Sequence, residues 1–269
     1  MQGRLSPPID GKIQAFPSEK WREEFPLGES CGFQLMEWTL DHQNLWENPL
    51  MTPEGRQEIR VLSARYGIRI ESATADNFMQ APFFKRKGPE CEERLSDLKE
   101  LIEAAGHLGL KYIVIPVLDE GRMESPRERE KLREGLNRLR PDLLSAQVKF
   151  VFESDLPPQE LAEWIATYEA DAFGVNYDIG NSAGSGFDSS KEFEAFGHRI
   201  LNVHIKDREL HGTTVPLGEG NANFDKVFQG LKKIGYQGNF ILQTARAIDG
   251  DHLSALRRYR DFATSYIEG

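Results

Sequence analysis

Four residues in the second half of the chain have the chemistry to hold a cation and move a proton: Glu153, Asp178, His204 and Gln243. Two carboxylates, an imidazole and an amide oxygen form a donor set that suits a hard or borderline divalent cation. Each lies at or near the end of a short apolar run, the runs being residues 148–153, 173–178, 200–206 and 239–243. If these runs are strands, successive side chains point to opposite faces. Phe150 and Phe152, Val175 and Tyr177, Leu201, Val203 and Ile205, and Phe240 and Leu242 then share the outward face. The inward face carries Val151 and Glu153, Asn176 and Asp178, Asn202, His204 and Lys206, and Ile241 and Gln243. The four ligand-type side chains fall on one face, at one end of four consecutive strands. Plainer readings compete. Asp178 starts an Asp-Ile-Gly-Asn stretch that could be an Asx-turn, and Asp155 beside Glu153 could cap the next helix. A lone histidine is commonly a satisfied core residue, and a buried glutamine often bonds only to backbone.

The elements that must position these residues recur along the whole chain. Further apolar runs lie at 33–39, 68–73 and 112–117, and residues 1–5 would supply one more strand, the first. Helix signals separate them. Thr52 is placed to cap a helix with Pro53 at its first position and Gly67 past its end. Ser125, Pro126 and Glu128 read as a capping box. Leu95, Leu98, Ile102, Ala105 and Leu108 recur at helical spacing before Gly109. Phe224, Val227, Phe228, Leu231 and Ile234 do so before Gly235, and Leu253, Leu256, Tyr259, Ala263 and Tyr266 mark a last helix. Alternating strands and helices imply parallel βαβ units, and about eight of them imply an α/β (β/α)₈ TIM barrel. A doubly wound sheet would be favoured by a Gly-x-Gly-x-x-Gly turn after the first strand, and none is present. The longest irregular segment, 76–90, mixes Phe78, Phe83 and Phe84 with Lys85, Arg86 and Lys87. It reads either as a cover for the barrel mouth or as a surface loop with a hydrophobic anchor.

The chain of 269 residues, read as one domain over 1–269, matches the size of such a barrel. Lys and Arg total 33 against 43 Asp and Glu, a net charge of −10. That balance argues against a nucleic-acid partner. Two cysteines, Cys31 and Cys91, are too few for a disulfide scaffold and point to a reducing, cytoplasmic setting. The N-terminal residues have no apolar leader, and no run approaches the roughly 18 apolar residues of a membrane span, so no membrane is expected. Self-association into a homo-oligomer is compatible with the sequence.

Phe152-Glu153, Tyr177-Asp178-Ile179-Gly180-Asn181, His204-Ile205-Lys206-Asp207 and Leu217-Gly218-Glu219-Gly220 occur in an order that resembles the xylose-isomerase-like TIM barrel superfamily. That group includes sugar and sugar-phosphate 3-epimerases, hydroxypyruvate isomerase and inosose dehydratase. The resemblance runs from residue 4 to the last helix. It implies a divalent metal, commonly manganese, cobalt, magnesium or zinc, held by Glu153, Asp178, His204 and Gln243. It also implies proton abstraction by Glu153 from a small sugar or sugar phosphate through a metal-stabilised enediolate. The sequence departs from the epimerases at the last position, where they have a glutamate. Gln243 offers an amide oxygen but cannot exchange a proton near neutral pH. Asp119 and Glu37, at other strand ends, are candidates to replace the missing acid.

Substrate contacts are assigned to Arg4, Glu37, Lys206 and Arg246. The basic members of that set favour an anionic sugar about as well as a neutral one. The amides of the Gly218-Glu219-Gly220 loop could approach a phosphate. The leading function is a sugar isomerase or epimerase. A dehydratase of the same superfamily needs only one proton abstraction, and a non-catalytic sugar-binding barrel would suit the change to Gln243. An apurinic endonuclease is disfavoured by six histidines in the whole chain and by the acidic charge.

Overall fold

The computed structural model describes residues 1–2, 5–9, 11–12 and 14–269. Seven parallel strands form one sheet: β1 (Leu35–Leu40), β2 (Arg69–Ala75), β3 (Tyr112–Val117), β4 (Lys149–Ser154), β5 (Phe173–Asp178), β6 (Ile200–Ile205) and β9 (Asn239–Leu242). A separate antiparallel ribbon, β7 (Asp207–Arg208) with β8 (Thr214–Val215), follows β6. The sheet curls into a barrel that is nearly closed. Met1 and Gln2 stitch its two edges together. The Met1 amino group donates to Leu35 O at 2.9 Å, Glu37 N donates to Met1 O at 2.8 Å, and Gln2 N donates to Leu242 O at 3.1 Å. The strand expected at residues 1–5 is thus replaced, among the described residues, by a two-residue bridge without regular strand geometry.

The helices are α1 (Glu24–Ser30), α2 (Pro53–Tyr66), α3 (Asp76–Gln80), α4 (Pro89–Leu108), α5 (Pro126–Ala146), α6 (Pro158–Ile165), α7 (Ile179–Gly184), α8 (Ser189–Phe196), α9 (Phe224–Lys233) and α10 (His252–Ile267). Their ends follow local chemistry. Thr52 Oγ1 accepts from Gly55 N at 3.1 Å, and Gly67 ends α2 in the left-handed region at φ 65°. Ser125 accepts from Glu128 N, as a capping box requires, but Glu128 returns its bond to Glu124 N at 2.7 Å, one residue earlier than the motif specifies. Among the described residues, no helix is long and apolar enough to cross a membrane.

The core lies between barrel and helices. Phe152 packs on Trp164 and Tyr168, with ring centroids 4.6 and 5.1 Å away, so the outward face of β4 is the apolar one. Burying an aromatic ring of this kind stabilises the fold by about 1.5–3 kcal/mol. The segment at 76–90 is more ordered than its sequence suggests. It contains α3 and a tight turn at Phe83–Lys85, and Phe78, Phe83 and Phe84 form a buried cluster with centroids 6.0 Å apart. Phe83 lies so close to Gly135 of α5 that a Cβ there would come within 2.3 Å of its ring. The aromatics are therefore the anchor of this segment and do not cover the mouth.

Candidate active site

Strand register brings the four expected side chains to one end of the barrel. Asp178 pairs with His204 across β5 and β6, and Gln243 N bonds Ile205 O at 3.0 Å just past β9. One ligand atom from each of Glu153, Asp178 and His204 falls within 4.8 Å of the others, and all three residues are buried. Glu153 is held from both sides. Asn176 Nδ2 donates to Oε2 at 3.0 Å and Asn181 Nδ2 donates to Oε1 at 2.7 Å. Asp178 does two jobs. Its Oδ1 accepts from Asn181 N at 2.8 Å and caps α7, while Oδ2 lies 2.9 Å from Lys206 Nζ. The Asx-type cap is realised, and the same carboxylate lies at the barrel mouth beside Lys206. Asp155 pairs with Arg122 and caps no helix.

Beneath this layer, Glu37 organises His204. The imidazole Nε2 lies 2.7 Å from Glu37 Oε1, which leaves Nδ1 facing Glu153 Oε2 at 3.1 Å and Asp178 Oδ2 at 3.8 Å. Glu37 also accepts from Gln2, Ser72, Thr74 and Asn202, and is 1% exposed. Burial opposes its ionisation, but the His204 charge and these hydrogen bonds hold the carboxyl down at about 2. Burial works against charge on His204 too. Glu37, with Asp178 and Glu153, raises it well above its ordinary value. For Asp178, Lys206 and His204 outweigh burial and hold the carboxyl well below the usual range.

A cavity of about 600 Å³ opens above this cluster, lined by Glu153, Lys206 and Gln243 together with Gln14, Asp76 and Asn181 among others. Asp178 and His204 sit behind the lining, Asp178 against the Lys206 ammonium and His204 against Glu153. Two residues of this wall escape a reading of strand ends: Gln14, from the loop before α1, and Asp76, the first residue of α3. A signal for Asp76 does exist, since it continues the inward positions of Ser72 and Thr74 by one more step of two.

Several expected substrate contacts are not brought here. Glu37 does not line the cavity: β1 continues to Leu40, so Glu37 sits a layer below the mouth with every contact directed inward. Arg246 turns away, donating to Ser6 O beside Glu24. The Gly218 and Gly220 amides donate to Asp207 Oδ2 at 2.9 Å each, so they are spent on the loop itself and do not form a phosphate cradle. Asp119 is exposed at the rim, and Arg4 lies outside the described residues. Cations that do line the cavity, besides Lys206, are Lys12, Arg122 and Arg208.

The donor set fits a divalent cation. Asp178 Oδ2, His204 Nδ1 and Gln243 Oε1 are buried without an aligned hydrogen bond; the Lys206 and Glu153 contacts of the first two are ionic in distance only. The imidazole is already oriented by a carboxylate on its far nitrogen, the arrangement that fixes metal-binding histidines. Because Nδ1 must then offer a lone pair, a cation would compete with a proton at that atom.

An α/β barrel with a buried acid and imidazole cluster at its mouth defines the class. The chain belongs to the xylose isomerase-like TIM barrel family, whose model matches residues 25–261. It is 25% identical to the L-ribulose-5-phosphate 3-epimerase UlaE of Escherichia coli O157:H7, over 93% of this chain and 91% of the relative. The fold matches a xylose isomerase-like TIM barrel protein from Mycobacterium smegmatis in complex with magnesium (TM-score 0.69, 18% identity, 96% and 91% coverage). It also matches the IolI protein with a bound zinc atom (TM-score 0.74, 18% identity, 91% and 92% coverage).

Proposed function

We propose that this protein is an isomerase that epimerises a small sugar or sugar phosphate, with Glu153 as the base. The observation that carries the reading is the convergence of Glu153, Asp178 and His204 within 4.8 Å beneath a polar cavity. Those three residues and the Gln243 amide oxygen would hold a divalent ion. When bound, the ion supplies electrophilic polarisation of a carbonyl and its neighbouring hydroxyl. Glu153 takes the proton from the carbon beside the carbonyl, and Asn176 and Asn181 fix the carboxylate in place for that transfer. The small-sugar reading has support from the UlaE relative, whose name gives L-ribulose 5-phosphate as its substrate. Lys12, Lys206 and Arg208 on the cavity wall favour a phosphorylated over a neutral sugar. Gln243 favours a second reading, dehydration, which needs only one base.

The test is incubation with L-ribulose 5-phosphate, its neutral sugar and other ketoses in deuterated water, with magnesium or manganese supplied. Deuterium entering the carbon beside the carbonyl, with appearance of the epimer, is the expected result. Loss of water from the sugar would select the dehydratase. Tight binding with no exchange into any sugar would leave only the sugar-binding barrel.

A further inference from the structure

We propose that Asp76 is the second proton-transfer group of this site, standing in for the carboxylate that Gln243 lacks. The inference rests on the epimerase reading above. Asp76 follows β2 directly, on the inward face that carries Ser72 and Thr74, and it lines the same cavity as Glu153. It is only 4% exposed, yet among the described residues its single hydrogen-bond donor is Gln14, whose Nε2 lies 2.6 Å from Oδ2. Gln14 Oε1 in turn accepts from Gln243 Nε2 at 3.1 Å. A hydrogen-bonded chain therefore runs from the end of β9 through Gln14 to the end of β2. It joins the position without an acid to a carboxyl that is present. Glu153 approaches the cavity from a different wall, at the end of β4.

The surroundings keep this carboxyl protonated. Burial is the largest influence and outweighs the Gln14 hydrogen bond. Asp41 beyond β1, Glu153 on β4 and Glu37 on β1 add negative charge, and the carboxyl is pushed up to about 8. The wall cations Lys12, Arg122, Lys206 and Arg208 make no ion pair with it among the described residues. A neutral carboxylic acid sharing one cavity with a second carboxyl group is the pairing that two-group proton transfer uses.

The step balances. The Glu153 carboxylate removes a proton from the carbon beside the carbonyl, and the C–H pair becomes the C=C bond of an enediolate as the carbonyl pair moves to oxygen. The Asp76 carboxylic acid then delivers its proton to that carbon while the C=O bond re-forms. Glu153 is left protonated and Asp76 ionised, and exchange with water in the cavity resets both.

The test compares wild type with Asp76→Asn, on L-ribulose 5-phosphate in deuterated water with magnesium. Asparagine has the shape of the neutral acid, so the variant should fold, which thermal denaturation checks. The expected result is that deuterium still enters the starting sugar through Glu153 and KM changes little, while epimer formation falls by about 10²–10⁴-fold. A carboxyl carbon NMR titration of the wild type should show one aspartate titrating near 8, and that signal should be missing from the variant. Epimer formation at the wild-type rate in the variant, equal loss of exchange and epimerisation, or absence of the signal near 8 would each overturn the assignment. If wild type itself exchanges no proton of any sugar, the epimerase reading fails first and this inference falls with it.

Discussion

Glu37 lies on β1 and Asp76 directly after the neighbouring strand β2, and solvent reaches almost none of either, yet their charges are driven in opposite directions. Glu37 meets five donors, His204 among them, and is held down at about 2. Asp76 meets one amide and faces other carboxylates, and is pushed up to about 8. Burial is common to both, so the difference lies in what each carboxyl touches. The floor of the barrel is built to keep a negative charge that orients an imidazole. The wall of the cavity is built to keep a proton. Two acids whose surroundings push them apart are a sign of divided roles in a proton-transfer site.

The largest effect that would sharpen this contrast is expected at Glu153, the proposed base. Glu153→Gln should lower exchange and turnover by about 10²–10⁴-fold, measured by deuterium incorporation, with an unchanged circular dichroism spectrum. Retained exchange would move the base elsewhere.

Glu37→Gln comes next. It removes the charge behind His204 and should weaken divalent-metal binding by about 10–100-fold in a calorimetric titration. The same variant has a pH signature. Glu37 titrates lower in the folded protein than its ordinary 4.5, so its stabilising contribution is present above 4.5 and is lost as pH falls towards about 2. The stability difference between wild type and variant should therefore be full at pH 6 and shrink through that acid window. A difference that does not vary with pH would mean that Glu37 is not ionised in the fold.

Gln243→Glu adds an anionic oxygen to the cluster and should raise divalent affinity, on the order of tenfold. Equal or weaker binding would remove Gln243 from the ligand set. A separate effect is expected on the stability of Asp76→Asn. A carboxyl whose folded value is raised to about 8 from 3.8 stabilises the fold below 3.8, and that contribution is lost as pH rises through 8. Relative to wild type, the variant should gain melting temperature between pH 4 and 8, by on the order of 10 °C, and change no further above that. A constant offset would contradict the raised value.

Alternation made the later strands legible. Glu153, Asp178, His204 and Gln243 each lie within one residue of the end of a strand whose other face is apolar, so a period of two was enough to bring them together. The early strands were harder to read. Reading β1 as ending at Thr39 and placing Glu37 near the mouth missed the layer in which it sits, because a strand's depth in a barrel depends on its register with neighbours. Asp76 lies one step past β2, in a stretch whose aromatics suggested a loop. Gln14 comes from a loop with no periodicity, and only tertiary contact joins it to Gln243. Likewise, the glycines at 218 and 220 signalled a turn in the sequence, but only the fold reveals that Asp207 takes their amides. The first strand is a special case: Met1 and Gln2 complete the barrel through three backbone bonds, which leave no apolar pattern to detect.

Whether Glu153, Asp178, His204 and Gln243 form a metal site is decided by calorimetric titration of manganese into wild type and Asp178→Asn, in buffers of different ionisation heat. One ion should bind per chain in wild type, with release of a proton as His204 Nδ1 gives up its hydrogen, and binding should be much weaker in the variant. Binding of equal strength in both proteins, or no binding to wild type, would contradict the metal site.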